Sequence, residues 1–208
     1  FSELGLEIGG KPTIDLQAPD MPWGESDGAA SFDEQDRDTI LPGDIVRCDT
    51  GFFYLGLNTD IQQNVYILDQ DENDVPDGFK QGLRKANKLQ DILADNMELG
   101  LSGNQILENA LREAEDENLN ATIYAHPIGF YDHEAGPTIG LWDQQDGVPG
   151  KGDSKLHDNT AFAIELNVRD RVEEWNGQVV RFPLEEEAAI IDGDFHWISG
   201  RQTEFHTV

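Results

Sequence analysis

The sequence predicts an α+β domain with a largely antiparallel sheet, on the strength of three observations. Short, apolar, β-prone segments lie before and after a pair of amphipathic helical segments. The turns between these segments carry hairpin signals, such as Asp192-Gly193. With 208 residues, of which 38% are hydrophobic, the chain can bury a substantial core and is too apolar to be a disordered chain.

The residue composition of the chain changes near residue 40. Residues 1–40 are punctuated by Pro and Gly and predict a loop-rich arm or the remnant of an upstream domain, and residues 41–208 predict the main domain. The start at Phe1 rather than Met is consistent with missing N-terminal sequence. Beyond the turn Pro42-Gly43-Asp44, the first predicted strands are Ile45–Asp49, Phe52–Leu57 and Asn64–Leu68.

Two helices are predicted next. Apolar residues recur at helical spacing from Phe79 to Leu93, and again from Ile106 to Ala114 behind an N-cap at Ser102. The segment 137–159 predicts a long loop. The later predicted strands are Ala121–Ala125, Ala161–Val168, Gln178–Phe182, Glu187–Ile191 and Phe195–Ile198.

The net charge of −28 excludes several classes of partner. Nucleic acids and anionic membranes would repel this chain, and we expect it to bind neither. No apolar run reaches the roughly 20 residues of a membrane-spanning helix. The acidity suits either solubility in high salt or ordinary acidic solubility. Cys48 is the single cysteine, which favours a reducing, cytoplasmic location. The sequence leaves a homodimer open.

Four acidic residues stand where a core is expected. If the first two strands form a hairpin centred between Tyr54 and Leu55, Asp49 and Asp60 lie opposite each other. Carboxylates that close require a proton or a cation between them. The alternative places the turn elsewhere and leaves both acids in solvent.

A second pair of acids has the same character. Glu165 lies inside the apolar run Ala161–Leu166, where an unpaired carboxylate is costly. A hairpin centred on Trp175 would place Glu185 opposite Glu165. The alternative for Glu185 is an exposed edge formed by Glu185-Glu186-Glu187.

Two histidines accompany these acids in a Gly- and Pro-rich stretch after a strand. They are His126 and His133, and the alternative for His133 is a loop histidine paired with Glu134. Carboxylates with an imidazole suit Mn²⁺, Fe²⁺, Co²⁺ or Zn²⁺ better than Ca²⁺. Four carboxylates indicate two metal ions, which bind a bridging water, lower its pKa and stabilise a tetrahedral intermediate.

In chain order these residues resemble the pita-bread metallopeptidases, which include methionine aminopeptidase, aminopeptidase P, prolidase and the creatinase-like proteins. The match extends from about Leu41 to Ser199. It rests on the motifs Gly43–Gly51, Asn58-Thr59-Asp60, His126-Pro127-Ile128-Gly129, His133-Glu134 with Gly136-Pro137, Phe162-Ala163-Ile164-Glu165 and Leu184-Glu185 with Ile190–Gly193. No one motif is decisive, but the five ligand types occur in the family's order.

The resemblance implies a pita-bread fold, in which a curved sheet of two β-α-α-β halves cradles two metals and packs helices on its outer face. The implied metal ligands are Asp49, Asp60, His126, Glu165 and Glu185. The implied ions are two divalent metals, Mn²⁺ first, with Co²⁺, Zn²⁺ or Fe²⁺ as alternatives. The implied catalytic residues are His133, which would bind the substrate carbonyl or oxyanion, and Glu165, which would shuttle the proton of a metal-bridging hydroxide.

Two departures from the family pattern bear on function. The loop 137–159 lengthens the step from His126 to Glu165, with Trp142 and His157 as candidate rim residues. The family's aminopeptidases also carry a histidine upstream of the first Asp, and no histidine precedes His126 here; the corresponding position falls near Ser31-Phe32.

Three functions follow from the resemblance. The first is a dinuclear metallopeptidase for short peptides, of Xaa-Pro aminopeptidase or prolidase type. The second is a creatinase-like hydrolase of a small non-peptide amide. The third is a non-catalytic pita-bread module that binds partners, which the absent upstream histidine favours and the five intact ligands oppose.

Overall fold

The structure, a computed structural model, describes residues 7–8, 12–19, 21 and 39–208. Most of the predicted N-terminal arm, including Ser31-Phe32, lies outside these residues. The strands are β1 Glu7–Ile8, β2 Thr13–Gln17, β3 Ile45–Thr50, β4 Phe52–Tyr54, β5 Leu57–Asn58, β6 Ile61–Tyr66, β7 Asn120–Ile123, β8 His126–Pro127, β9 Thr160–Val172, β10 Gln178–Ile191, β11 Asp194–Trp197 and β12 His206–Thr207. The α-helices within the described ranges are α1 Asp77–Asn96 and α2 Gly103–Asp116.

The main sheet has nine strands within the described residues, in the order β2-β3-β6-β10-β9-β7, with β11 beside β10, β12 beside β6 and β8 beside β9. All of its pairs are antiparallel except β12 with β6. A small separate sheet joins β1, β4 and β5. The predicted α+β class with a largely antiparallel sheet is therefore confirmed. Residues 13–17, on the N-terminal side of the expected boundary at residue 40, are part of the main sheet.

The long hairpin of β9 and β10 forms the centre of the sheet. Its turn contains Asn176 and Gly177, both with positive φ (54° and 74°), and its register places Glu165 opposite Glu185, as predicted. The two strands expected at Gln178–Phe182 and Glu187–Ile191 are a single strand, because the acidic segment between them pairs on both sides. The predicted break was wrong because acids are rare in strands, whereas here Glu185 and Glu186 are buried on opposite faces of one strand.

The hairpin of β3 and β6 differs from the predicted register. Asp49 pairs with Gln62, and the tip lies at Leu55 and Gly56, so Asp49 and Asp60 are not directly opposed. The predicted strand 52–57 is instead split into β4 and β5, which form the end of the hairpin. Gly51 permits the break before β4, because a Cβ there would lie 2.4 Å from the Thr59 carbonyl oxygen.

The helices pack on the face of β9 and β10 that carries the even-numbered residues. The apolar stripe of α1 is buried against this face, and Gly82 lies so close to Phe182 that a Cβ would be 2.1 Å from its ring. The N-terminus of α2 has a capping box between Ser102 and Gln105, as the sequence predicts for Ser102.

The predicted long loop is also observed, since the segment 137–159 contains only a 3-10 helix, Lys151–Asp153, and isolated bridges. The α-helices within the described ranges are α1 and α2, so a second pair of the kind that two β-α-α-β halves imply is not present there. No helix in these ranges combines the length and apolar character needed to cross a bilayer.

Candidate metal centre

Four side chains form a row across the sheet on the face opposite the helices. Asp49 of β3 pairs with Gln62 of β6, Gln62 with Glu185 of β10, and Glu185 with Glu165 of β9. Adjacent strands lie about 4.8 Å apart, so the register alone brings three carboxylates into one cluster. The Gln62 Nε2 group donates to Glu165 Oε1 at 2.9 Å and to Glu185 Oε2 at 2.7 Å, which fixes the two glutamates relative to each other.

Asp60 joins this cluster from the residue just before β6. It is two residues from Gln62, so it lies on the same face, diagonal to Asp49. The carboxylate oxygens of Asp49, Asp60 and Glu185 lie within 4.8 Å of one another. The two acids are thus brought together as expected, but by this diagonal relation rather than by direct pairing.

His126 completes the set from β8, which pairs with β9 through Ala163. Its Nε2 lies 3.8 Å from Asp60 Oδ2 and 3.9 Å from Glu185 Oε1, too far for hydrogen bonds. With metal–ligand bonds of about 2.0–2.2 Å, two ligands of one ion lie at most about 4.4 Å apart. Both distances therefore fit atoms that share a cation.

The lack of hydrogen-bond partners for two of these atoms also indicates a cation site. His126 Nε2 and Glu185 Oε1 are both buried and have no hydrogen-bond partner within the described residues. An orphaned buried acceptor is costly, and a coordinated cation would satisfy both atoms at once. The donor types, carboxylates and one imidazole, suit divalent ions such as Mn²⁺, Co²⁺, Zn²⁺ or Fe²⁺.

The acids of the cluster have raised pKa values in the absence of a cation. Burial, together with the neighbouring Asp132, Asp49 and Glu165, raises the pKa of Asp60 to about 8. Burial is also the main cause that raises the pKa of Glu185, Glu165 and Asp49. A raised pKa means that an acid keeps its proton to a higher pH than usual, and a divalent cation that binds the carboxylate replaces that proton.

His126 is electrostatically suited to the ligand role. Burial and the adjacent His133 lower its pKa to about 4, so the imidazole is neutral at pH 7. A neutral imidazole nitrogen is the form that binds a metal. Its Nδ1 lies 3.3 Å from the carbonyl oxygen of Pro127, which favours a proton on Nδ1 and leaves Nε2 as the free acceptor.

His133 lies against the cluster on its outer side. Its ring stacks on His126 with centroids 3.9 Å apart and 11° between planes, and its Nδ1 lies 3.2 Å from the Tyr124 hydroxyl. The alternative pairing with Glu134 is wrong, because the Glu134 carboxylate accepts from the backbone N–H groups of Tyr131 and Ala135. His133 is half exposed, so it can meet a bound molecule.

A pocket of about 320 Å³ opens beside the two histidines. One wall is formed by Tyr124, His126, His133 and Glu134, and the other by the long loop. The loop residues that line it are Thr138, Leu141, Gln144, Val148, Pro149 and Lys151. The long loop thus forms part of this pocket, but the candidate rim residues Trp142 and His157 are not among the lining residues.

Among the residues around the centre that were not predicted from the sequence are Gln62, Asp132 and Tyr124. Gln62 links the two glutamates, Asp132 is close enough to hydrogen-bond Asp60, and Tyr124 contacts His133. Only Gln62 had a sequence signal, because it stands in a polar run, residues 62–64, inside an otherwise apolar strand. The exposed-edge alternative for Glu185 is wrong, since its strand is central and the residue is 1% exposed.

Comparison with solved structures shows the same fold in several proteins. The chain matches an X-Pro aminopeptidase from Thermotoga maritima MSB8 with a TM-score of 0.65 and 18% identity, over 97% of this chain and 50% of that one. It matches the dipeptidase PepE from Mycobacterium ulcerans with a TM-score of 0.63 and 20% identity, over 97% and 47%.

A third match is a subunit of a larger complex rather than a protein named as a peptidase. It is the N-terminal domain of FACT complex subunit SPT16 from Eremothecium gossypii, with a TM-score of 0.72 and 14% identity, over 100% of this chain and 45% of that one. The chain thus spans about half the length of the structures it matches.

The sequence comparisons give the family. No curated protein matches the chain with significant sequence similarity. The model of metallopeptidase family M24 matches residues 18–190, which is most of the chain and contains every predicted ligand. The chain therefore belongs to metallopeptidase family M24.

Proposed function

We propose that this chain is the catalytic domain of a two-metal peptidase that hydrolyses short peptides, of Xaa-Pro aminopeptidase or prolidase type. The observation that carries the proposal is the cluster of the five predicted ligands, in which two buried atoms, His126 Nε2 and Glu185 Oε1, have no hydrogen-bond partner within the described residues. Membership of a metallopeptidase family supports it.

The five residues divide naturally between two sites. Asp49 and Asp60 would hold one metal, His126 the other, and Glu165 and Glu185 would complete both. Two of the overlapping groups of ligand atoms support this division, because one contains both aspartates with Glu185 and another contains His126 with both glutamates. The third group joins Asp60 to His126, so Asp60 lies between the two sites and could contact either ion. Bound divalent ions would supply Lewis acidity and an activated water.

The protein residues would perform the remaining chemistry. His133 faces the pocket and is partly exposed, so it would donate a hydrogen bond to the substrate carbonyl oxygen as negative charge develops there. Glu165 would take the proton of the attacking water and return it to the leaving nitrogen. Tyr124, through its contact with the Nδ1 atom, would hold the His133 ring in place.

The pocket supports a small substrate. A volume of about 320 Å³ lies at the lower end of the range for small-molecule sites, roughly 300–1,000 Å³. Most of its lining residues are uncharged, and Glu134 and Lys151 are the charged exceptions, which suits a short peptide with a compact residue such as proline after the scissile bond.

The test combines metal content with turnover. The chain should bind two Mn²⁺ after incubation and desalting, and should cleave one or more members of a panel of Xaa-Pro dipeptides and tripeptides. His133→Ala should lower kcat at least about 100-fold while both metals remain bound. His157→Ala is the matched control, because His157 is exposed and outside the pocket.

The outcomes separate the rival functions. Two metals with no peptide cleavage but turnover of a small non-peptide amide would favour the creatinase-like alternative. If the chain binds no metal and turns over neither kind of substrate, the result would favour a non-catalytic binding module. The likeness in fold to the SPT16 domain makes that module the second candidate.

A further inference from the structure

The N-terminal strand β2 reaches the metal centre through a buried ion pair. β2 pairs with β3 so that Thr13 lies opposite Asp49 and Asp15 opposite Arg47. Asp15 is 2% exposed and Arg47 is 5% exposed, and an Arg47 Nη atom forms a salt bridge with Asp15 Oδ2. The buried guanidinium thus belongs to β3, the strand that carries the first predicted ligand.

Arg47 also contacts that ligand. Its other Nη atom lies 3.5 Å from Asp49 Oδ2, two residues along the same face of β3. A guanidinium is planar and permanently charged, and its two Nη groups can hold two carboxylates at a fixed angle. Asp15, Arg47 and Asp49 therefore form a continuous relay from β2 into the carboxylate cluster.

The relay is not explained by stability. Replacing a buried ion pair with apolar residues is often neutral or stabilising, so such a pair is weak evidence of a stabilising role. Arg47 stands in the otherwise apolar segment Ile45-Val46-Arg47-Cys48, where an aliphatic residue would complete the strand. The contact of Arg47 with Asp49, a predicted metal ligand, indicates that the charge serves to position that ligand.

We propose that Asp15 and Arg47 are positioning residues for the metal centre: Arg47 restrains the Asp49 carboxylate for coordination, and Asp15 anchors Arg47. Without Asp15, the guanidinium would be free to turn fully onto Asp49 and compete with the metal. Without Arg47, Asp15 would lose its ion pair, and Asp49 would lose the guanidinium contact that restrains its carboxylate. The inference rests on the metal centre proposed above.

The experiment measures Mn²⁺ binding to the full chain by calorimetry, with electron paramagnetic resonance to detect a spin-coupled pair. Arg47→Met and Asp15→Asn should each weaken at least one of the two Mn²⁺ sites by about tenfold or more, as removal of groups that support metal ligands does. Arg47→Lys keeps the charge but cannot hold both carboxylates in a fork, so it should weaken the site by about three- to tenfold.

A partly exposed ion pair on the opposite face of the sheet provides a control. Lys85 of α1 forms a salt bridge with Asp170 of β9, away from the carboxylate cluster. Asp170→Asn therefore removes one ion pair from the domain without changing any residue of the metal centre. This variant should keep Mn²⁺ affinity within twofold. Circular dichroism and urea unfolding identify any variant that fails to fold; in that case Arg47→Lys decides.

The results distinguish this inference from the metal centre itself. If wild-type protein binds no Mn²⁺, the metal centre and the relay are both overturned. If wild-type protein binds two Mn²⁺ and the folded Arg47 and Asp15 variants bind both within twofold, only the relay is overturned. A loss of affinity in Asp170→Asn equal to that in Arg47→Lys would also overturn it, because the effect would then be general.

Discussion

The raised pKa of Asp60 predicts how the metal-free protein responds to pH. In the folded chain this pKa is about 8, against an ordinary value of 3.8. Between these values the folded state keeps a proton that the unfolded state has lost. The stability from this proton is complete below pH 3.8 and disappears as the pH rises through 8. The metal-free protein should therefore become less stable between pH 5.5 and 8.

The size of the effect follows from the same difference. One proton contributes at most about 1.4 kcal/mol per pH unit, which gives a ceiling of about 3 kcal/mol over this interval. Because Asp49, Glu165 and Glu185 share protons with Asp60, we expect about 1–2 kcal/mol. Asp60→Asn removes the titrating group, so the variant should lose that much less stability than the wild type.

The assay is urea unfolding of both proteins at several pH values, in EDTA and 0.5 M KCl. The salt screens the repulsion of the −28 net charge, which both proteins share almost entirely. With Mn²⁺ the trend should reverse, because the ligands must lose their protons before the metal binds. Parallel pH curves for the two metal-free proteins would refute the reasoning.

Three further predictions concern ligand linkage, ligand support and packing. Free Mn²⁺ at 100 times its Kd should raise the free energy of unfolding by about 2.7 kcal/mol, measured by urea unfolding, and an unchanged midpoint would contradict a folded-state site. Gln62→Leu should weaken Mn²⁺ binding by about 10- to 100-fold in calorimetry, because Gln62 holds both glutamates, whereas unchanged affinity would show that it does not orient them. Gly82→Ala should lower the melting temperature by destabilising the protein by about 2–3 kcal/mol without changing Mn²⁺ affinity, because the new methyl group would clash with Phe182; an unchanged melting temperature would show that the ring moves aside.

Turn chemistry decided which parts of the fold were predictable. The β9–β10 register could be predicted because Asn176-Gly177 is a strong turn signal, and the turn then determines every pairing along both strands. The β3–β6 register could not, because the tip is Leu55-Gly56 and Leu55 adopts φ of 52°, which a β-carbon disfavours. No sequence pattern predicts that a leucine adopts positive φ.

The predicted site residues converge because strand periodicity tolerates this error. The register differs from the predicted one by two residues, and a shift of two keeps every side chain on its original face. Asp49 and Asp60 therefore remain neighbours on one face. Asp15 and Arg47 were not predictable in the same way, because their contact depends on β2, which carries no strong strand signal in a segment rich in Pro and Gly.

The same periodicity explains why adjacent acids have different environments. In Glu185-Glu186-Glu187 the side chains alternate between faces, so Glu185 faces the cluster while Glu186 faces the helices, where Gln90 and the Gln202 backbone N–H bind it. Glu187 returns to the first face and accepts from the Asp60 backbone N–H at 3.3 Å. A slip of one residue in β10 would place Glu186 in the cluster and Glu185 in the apolar core. The long pairing of β10 with β9 excludes that slip, so the sheet register itself sets the composition of the candidate metal centre.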